Sequence, residues 1–531
     1  MRDLRRFLPL VAIVALGVAL KVILLAADAV PFNSDEAVVG LMARHILRAG
    51  ERPTFFYGQA YMGSLDAWLV AGAFALLGES VTAIRVAQAA LFAGTLVMAY
   101  WLARQSGLSE WGACAAALLL ALPPVMVTLY TTVSLGGYGE TLLLGTAALA
   151  LALKLTGDCA SSPTRERLAA WMALGLVGGL AFWVLGQAAV YLLPVAILLA
   201  WRLRAVAHWR WRAWRGALVA AIAFVAASSP WWLYDLSHQH AALYALTSPT
   251  APGPGTSLVD RALGLALLGL PALCGLRFPW RPDYLPLPVV FPALVFYLAV
   301  AVYAARPSRV EHRTAGRTLL LLMVVVFVVV FIASRFGLDA TGRYLLPLTA
   351  PLVIFTAMLI DTVREVRRWL GTAGLVAVIA FNLWGTGVAA ASSEKITTQF
   401  GPSTRFDNRF DSALTSFLLA HDGQRGYTNY WVTFRLAFES GENIILAPQL
   451  PYRENLQWSP SDDRYPLYSQ AVAQSATGVY VTVNQPPLDT VLRDGFIRLG
   501  VTFREEQIGP YHVFYDLSRK VTPGQVLPAL R

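Results

Sequence analysis

Residues 30–47 read VPFNSDEAVVGLMARHIL, and two adjacent carboxylates, Asp35 and Glu36, stand there just beyond an apolar run from Phe7 to Ala29. Acids at the edge of a membrane are costly and mark function more often than chance. The apolar residues that follow, Val38, Val39, Met42 and Ile46, recur at a spacing of three to four. One turn back along that stripe lies Asp35, whereas Glu36 is rotated by about 100°. The spacing therefore predicts Asp35 facing inward and Glu36 facing away. A second reading makes the pair a helix start. Asn33 as N-cap with Glu36 three residues on has the pattern of a capping box, and Asp35 would complement the positive end of the helix dipole.

Outward from this stretch the chain is oily. Of 531 residues, 56% are apolar and 14% charged, and the mean hydropathy is +0.54, well outside the soluble range. The run after Arg2, Arg5 and Arg6 has the flanks of a signal peptide. It lacks a convincing small-residue cleavage site and many further runs follow, so a retained anchor is expected. Runs long enough to cross hydrocarbon lie near 7–29, 80–103, 111–130, 139–155, 168–186, 187–201, 216–234, 287–305, 317–334, 344–360 and 370–390, about eleven in all. Residues 262–276, ALGLALLGLPALCGL, are broken by Pro271 and glycines, so they predict a re-entrant or surface-lying helix. Leu65–Leu77 is too short for an easy crossing. Cys114, Cys159 and Cys274 have neither a metal-binding spacing nor a disulfide pattern.

Charge sets the orientation. Loop 202–215 carries Arg202, Arg204, Arg210, Arg212 and Arg215 without an acid. Arg306, Arg309, Arg313 and Arg317 follow in the next basic loop, and Arg364, Arg367 and Arg368 in another. All fall on the side of the amino terminus, which the positive-inside rule places in the cytoplasm. The net charge of +10 thus marks orientation and makes no case for nucleic acid. Near Ala391 the character changes. Short alternating runs such as GVYVTVN and YHVFYDL, with helical patterns near 409–420 and 463–474, predict a small α/β domain. The expected architecture is a polytopic α-helical membrane domain over 1–391, with its first outer loop at 30–79, and a soluble extracytoplasmic α/β domain over 392–531. No Gly-rich phosphate loop appears in that domain, and no chemistry is assigned to it.

On this topology the polar residues at membrane depth gather on the outer face. They are Asp35 and Glu36, Asp66 in GSLDAW, Glu140 in GGYGETLLLG, Arg85 in AIRVAQ, and Arg343–Tyr344 in TGRYLLPL. Asp235, His238 and His240 follow the seventh run; the His pair fits no standard zinc spacing. Carboxylates and arginines on one side suit a hydroxyl acceptor and an anionic, phosphate-bearing lipid. Plainer roles exist: Asp66 and Glu140 both begin helices, and Arg85 and Arg343 could snorkel to the interface.

The order of an Asp-Glu pair after the first span, FYGQAYMGSLDAW and then AIRVAQ resembles the first outer loop of GT-C glycosyltransferases. Family 39, which holds protein O-mannosyltransferases and aminoarabinose transferases of lipid A, is the group it looks like. The likeness is good over about the first 150 residues and mainly architectural beyond. It implies inverting transfer of a hexose or pentose from a polyprenyl-phosphate carrier to a hydroxyl of a protein, lipid or glycan, at the outer face of the plasma membrane. It makes Asp35 the general base, with Asp66 and Glu140 the other catalytic acids. Substrate-binding candidates are Glu36, Tyr61, Arg85, Arg343 and Tyr344, an arginine among them holding the lipid phosphate. No cofactor is required; paired acids permit a divalent ion. The aminoarabinose enzymes have a lysine near their second acid, whereas Leu65 and Ala67 flank Asp66 here, and the inserted lumenal domain of the O-mannosyltransferases is not seen. A non-enzymatic lipid or solute transporter is the alternative. It would show repeat symmetry and polar residues at the midplane, where this chain has neither. A scaffold whose outer domain binds a partner is a third reading.

Overall fold

The computed structural model describes residues 2–157, 165–206, 211–247, 257–307, 311–334, 337–339, 341–401 and 403–527. Cys159, Arg210 and Arg309, used in the sequence reading, lie outside them. The chain divides into two compact units. One comprises residues 1–30, 61–66 and 85–396; the other comprises 31–60, 67–84 and 397–531.

The first unit is helical. Among the described residues nine helices are long and apolar enough to cross a membrane, and ten if the pair Trp214–Ala227 and Ser229–Ser237, bent by 55°, is one span. The eleventh expected run, 111–130, is divided into Glu110–Ala121 and Val125–Tyr130. Pro123 and Pro124 lie between them, and a proline removes a helical donor and clashes with the preceding turn. The 262–276 stretch is likewise broken, into Leu258–Gly264, a π-turn at Leu265–Gly269 and Leu270–Leu273. Helix Arg165–Val184 packs on Trp211–Ala227 through Gly175 and Gly179. A Cβ on either glycine would stand 2.2 Å and 2.3 Å from the carbonyl oxygens of Ala220 and Phe224. Two glycines four apart let backbones meet where lipid offers no hydrophobic drive.

A lysine is buried within the first span. Lys21 Nζ donates to the Thr131 carbonyl (2.8 Å), Thr131 Oγ1 (2.8 Å) and Thr132 Oγ1 (3.0 Å), and stands 3.9 Å from the Phe92 ring centroid. It thereby ties the first span to the turn that leads into helix Tyr138–Gly157.

The second unit holds a five-stranded sheet, in the order 445–447, 425–427, 479–483, 511–515, 504–508. The first three strands run parallel and the last two pair antiparallel, with Tyr480 opposite Phe514. Both alternating runs seen in the sequence are central strands. Period-two alternation sends Val481 and Val513 to a core with Leu414 and Leu436, and Tyr480 and Phe514 to a second core with Leu492 and Phe496. The expected helices near 409–420 and 463–474 are Asp411–Ala420 and Pro466–Gln474. Two more, Tyr430–Glu439 and Pro486–Arg498, have no counterpart in the sequence reading. Helix Ser34–Arg48 packs against Tyr430–Glu439, so the first loop and the last domain share this unit. Gly40 is the point of contact: a Cβ there would lie 2.7 Å from the Phe438 ring.

Candidate active site

Asp66 opens helix Leu65–Leu77 and is 1% exposed. Four donors or neighbours hold it. Gln88 Nε2 donates to Oδ1 (2.8 Å), while Ser134 Oγ (2.5 Å) and the Gly136 N–H (3.2 Å) donate to Oδ2. The fourth neighbour is the carboxyl of Glu140, in the first turn of helix Tyr138–Gly157 and equally buried. Burial pushes the Asp66 carboxyl above its usual range, while Ser134 and the Gly136 N–H pull the other way. Two buried carboxyls side by side cannot both ionise cheaply. The structure therefore brings together two of the three predicted acids. Gln88 and Ser134 were not singled out in the sequence, although Gln88 ends the quoted AIRVAQ.

A cavity of about 180 Å³ has in its lining Tyr138, which begins the helix that carries Glu140. Its walls are apolar, from Val190, Leu246, Phe327 and Phe331, and Tyr61, Tyr138 and Tyr344 line it with their phenols. The Tyr138 and Tyr344 rings meet edge-on with centroids 6.4 Å apart, and Gln187 Nε2 holds the Tyr344 carbonyl at 2.6 Å. The Arg343 guanidinium lies 4.9 Å from the Tyr344 ring centroid and pairs with Asp339 at 3.0 Å, its side chain 43% exposed. Arg85 is placed differently. It is buried, and its Nη1 donates to the Val30 carbonyl at 2.9 Å, so it fastens the backbone where the first loop begins.

Asp35 and Glu36 belong to the second unit, and here the helical phasing predicted from sequence is corrected. Glu36 is fully buried and Asp35 half-buried. Periodicity fails because helix Ser34–Arg48 is buried over Ser34 and from Glu36 through His45, leaving no polar face to set the phase. The helix start is as the capping reading has it, with Asn33 Oδ1 accepting from the Glu36 N–H at 3.0 Å. The Tyr430 hydroxyl donates to Asp35 Oδ1. At the far end of this helix His45 lies between the Tyr57 hydroxyl and Glu442 Oε1, each at 2.9 Å. His240 pairs with Asp235 at 2.9 Å, a local contact within its loop.

Among the described residues no group of three or more His, Cys, Asp or Glu side chains could hold a metal ion.

The fold is similar to that of solved membrane-protein structures. The crystal structure of ArnT from Cupriavidus metallidurans bound to undecaprenyl phosphate matches with a TM-score of 0.59 and 12% identity, over 95% of this chain and 98% of that one. The oligosaccharyltransferase of Archaeoglobus fulgidus matches at 0.52 and 13% identity, over 92% of this chain and 69% of that one. Residues 64–234 match the family model described as dolichyl-phosphate-mannose-protein mannosyltransferase. Two curated relatives are undecaprenyl phosphate-α-4-amino-4-deoxy-L-arabinose arabinosyl transferases 1 and 2 of Pseudomonas fluorescens. The first is 27% identical over 59% of this chain and 51% of its own length; the second is 30% identical over 32% and 28%. The chain spans about half the length of the first and less of the second. The resemblance to GT-C enzymes that include O-mannosyltransferases and aminoarabinose transferases, drawn from about the first 150 residues, is thus matched by similarity in both sequence and fold.

Proposed function

We propose that this chain is an inverting glycosyltransferase that moves a hexose or pentose from a polyprenyl-phosphate carrier to a hydroxyl acceptor. One observation carries the reading: an apolar cavity rimmed by Tyr61, Tyr138 and Tyr344, with Arg343 beside Tyr344 and a buried carboxyl pair two residues from Tyr138. Apolar walls suit an isoprenoid chain, and phenols with a guanidinium suit the phosphate that heads it. The neighbour solved with undecaprenyl phosphate and the relatives named for undecaprenyl-phosphate donors support the same donor class.

In the reaction the acceptor oxygen attacks the anomeric carbon as the bond from that carbon to the phosphate oxygen breaks. The hydroxyl proton passes to Asp35, and the polyprenyl phosphate leaves with its electron pair. Arg343 meets the charge that develops on the leaving phosphate. Asp66, buried beside Glu140, fixes Gln88, Ser134 and the Gly136 N–H, in the segment that leads into Tyr138. No cofactor is required. A divalent ion would have Asp66 and Glu140 as its first candidates, although among the described residues they belong to no group of three or more His, Cys, Asp or Glu side chains, and no step passes through one. The amino terminus lies in the cytoplasm and the α/β domain outside the inner membrane, an orientation supported by the basic loops.

Mass spectrometry of surface glycans and lipids from host cells with and without the chain tests this reading. A pentose or hexose modification is expected to vanish with the chain. Identical profiles under expression conditions, with undecaprenyl-linked sugars unchanged, would contradict it.

A further inference from the structure

The α/β domain carries no motif of its own, yet it places a tyrosine on the acid proposed as the base. Tyr430 opens helix Tyr430–Glu439, whose first turn is fixed by Asn429. The Asn429 Oδ1 accepts from the Trp431 N–H (3.0 Å) and the Val432 N–H (3.2 Å). The Phe434 ring packs against that of Tyr430, with centroids 5.4 Å apart. The Tyr430 phenol points at Asp35 Oδ1. Tyr430 is 4% exposed while Asp35 is half-buried, so a buried phenol grips one oxygen of an accessible carboxylate. Among the described residues Oδ2 accepts no hydrogen bond. Burial, with the charge of Asp35 next to it, holds the Tyr430 phenol far above its usual range, which keeps it a donor at any working pH. Behind it stands Arg464, its guanidinium 5.6 Å from the Tyr430 ring centroid. Gln59 of the first loop, its amide oxygen turned toward Arg464, accepts from that guanidinium at 2.7 Å.

We infer that Tyr430 is a positioning residue for Asp35: it fixes Oδ1 and leaves Oδ2 presented to take the acceptor's proton. The inference rests on Asp35 being the base. A carboxylate free to rotate spends its time in unproductive orientations, and small misplacements of a catalytic group cost rate far more than binding. A merely structural tyrosine, fastening one helix to another, would be needed for folding and not for turnover.

The test is a double-mutant cycle on the full chain in membranes, with a panel of undecaprenyl-phosphate-linked hexoses and pentoses as donors and host envelope extract as acceptor. Tyr430→Phe keeps the ring and removes only the hydroxyl. Turnover should fall about tenfold or more with donor and acceptor KM unchanged. Adding Tyr430→Phe to Asp35→Asn should cause no further loss, because the group it positions is already gone. Parental turnover in Tyr430→Phe, or losses that multiply in the double variant, would overturn the inference. Loss of folded protein in Tyr430→Phe, seen as a lowered thermal midpoint at unchanged turnover per folded molecule, would also overturn it and leave a structural role. Full activity in Asp35→Asn would instead remove the base itself, an outcome distinct from the others.

Discussion

At the scale of single residues, the arrangement separates two arginines that sequence alone left equivalent. Arg85 and Arg343 both sit near ends of apolar runs. Arg85 is committed to the Val30 carbonyl, whereas Arg343 is partly exposed and tethered to Asp339 beside the tyrosine-lined cavity. Arg343→Lys should keep partial transfer, since charge remains while the planar fork is lost. Arg343→Gln should lose much more, and the rate of undecaprenyl phosphate release from a labelled donor separates them. Equal rates in both variants would leave Arg343 an interfacial anchor. Individual residues were legible where one local pattern betrayed them. Asp66, Glu140 and Tyr344 stood out because acids and basic-aromatic pairs are rare beside apolar runs. Tyr430 was not legible, because it meets Asp35 across 395 positions of chain and no local spacing encodes such a pairing. The phasing of Asp35 and Glu36 misled for another reason. A helix buried nearly all round carries no amphipathic signal to read.

At the scale of elements, helix Ser34–Arg48 is the critical piece, because it presents Asp35 at one end and is clamped at the other. Gly40 sits at its contact with Tyr430–Glu439. Gly40→Val would drive new atoms into Phe438 and Ile84, each under 3 Å from the first added carbon. Overpacking of this kind costs about 1–3 kcal/mol. A lowered thermal midpoint with reduced transfer is expected; an unchanged midpoint would mean the two helices are not tightly apposed. The clamp predicts a pH dependence. Burial works against the Glu442 carboxylate, but hydrogen bonds from His45 and Tyr468, with the charges of His45 and Arg44, hold it down at about 2. A carboxylate with a depressed value stabilises the fold above its ordinary pKa and loses that contribution as pH falls. Stability should therefore decline between about pH 4.5 and pH 2, by at most about 3 kcal/mol. In detergent, the thermal midpoint of the parent should drop between pH 5 and pH 3 more steeply than that of Glu442→Gln. Parallel profiles would remove Glu442 from the clamp. Elements were the most legible level: nine apolar runs became long helices among the described residues. The departures trace to Pro123–Pro124, the bend after Ala227 and the breaks around Pro271, where backbone chemistry overrides hydropathy.

At the scale of the whole molecule, orientation decides whether the proposed site faces the outer leaflet. In a background with Cys114, Cys159 and Cys274 replaced by Ala, Ser461→Cys should react with an impermeant thiol reagent on whole cells and Arg204→Cys should not. The reverse pattern would put the site in the cytoplasm. The expected orientation rests on charge asymmetry, whereas the sharing of one compact unit by the first loop and the α/β domain was not legible, since it rests on contacts distant in sequence. The central claim is that this chain transfers sugar and does not merely move a lipid. The full chain in vesicles should be given each undecaprenyl-phosphate-linked hexose and pentose, labelled in the sugar, together with envelope extract. For one of these donors, the account predicts label on an acceptor and an equal amount of free undecaprenyl phosphate, both abolished by Asp35→Asn. Intact labelled donor with every sugar, changed only in the leaflet it occupies, would contradict it.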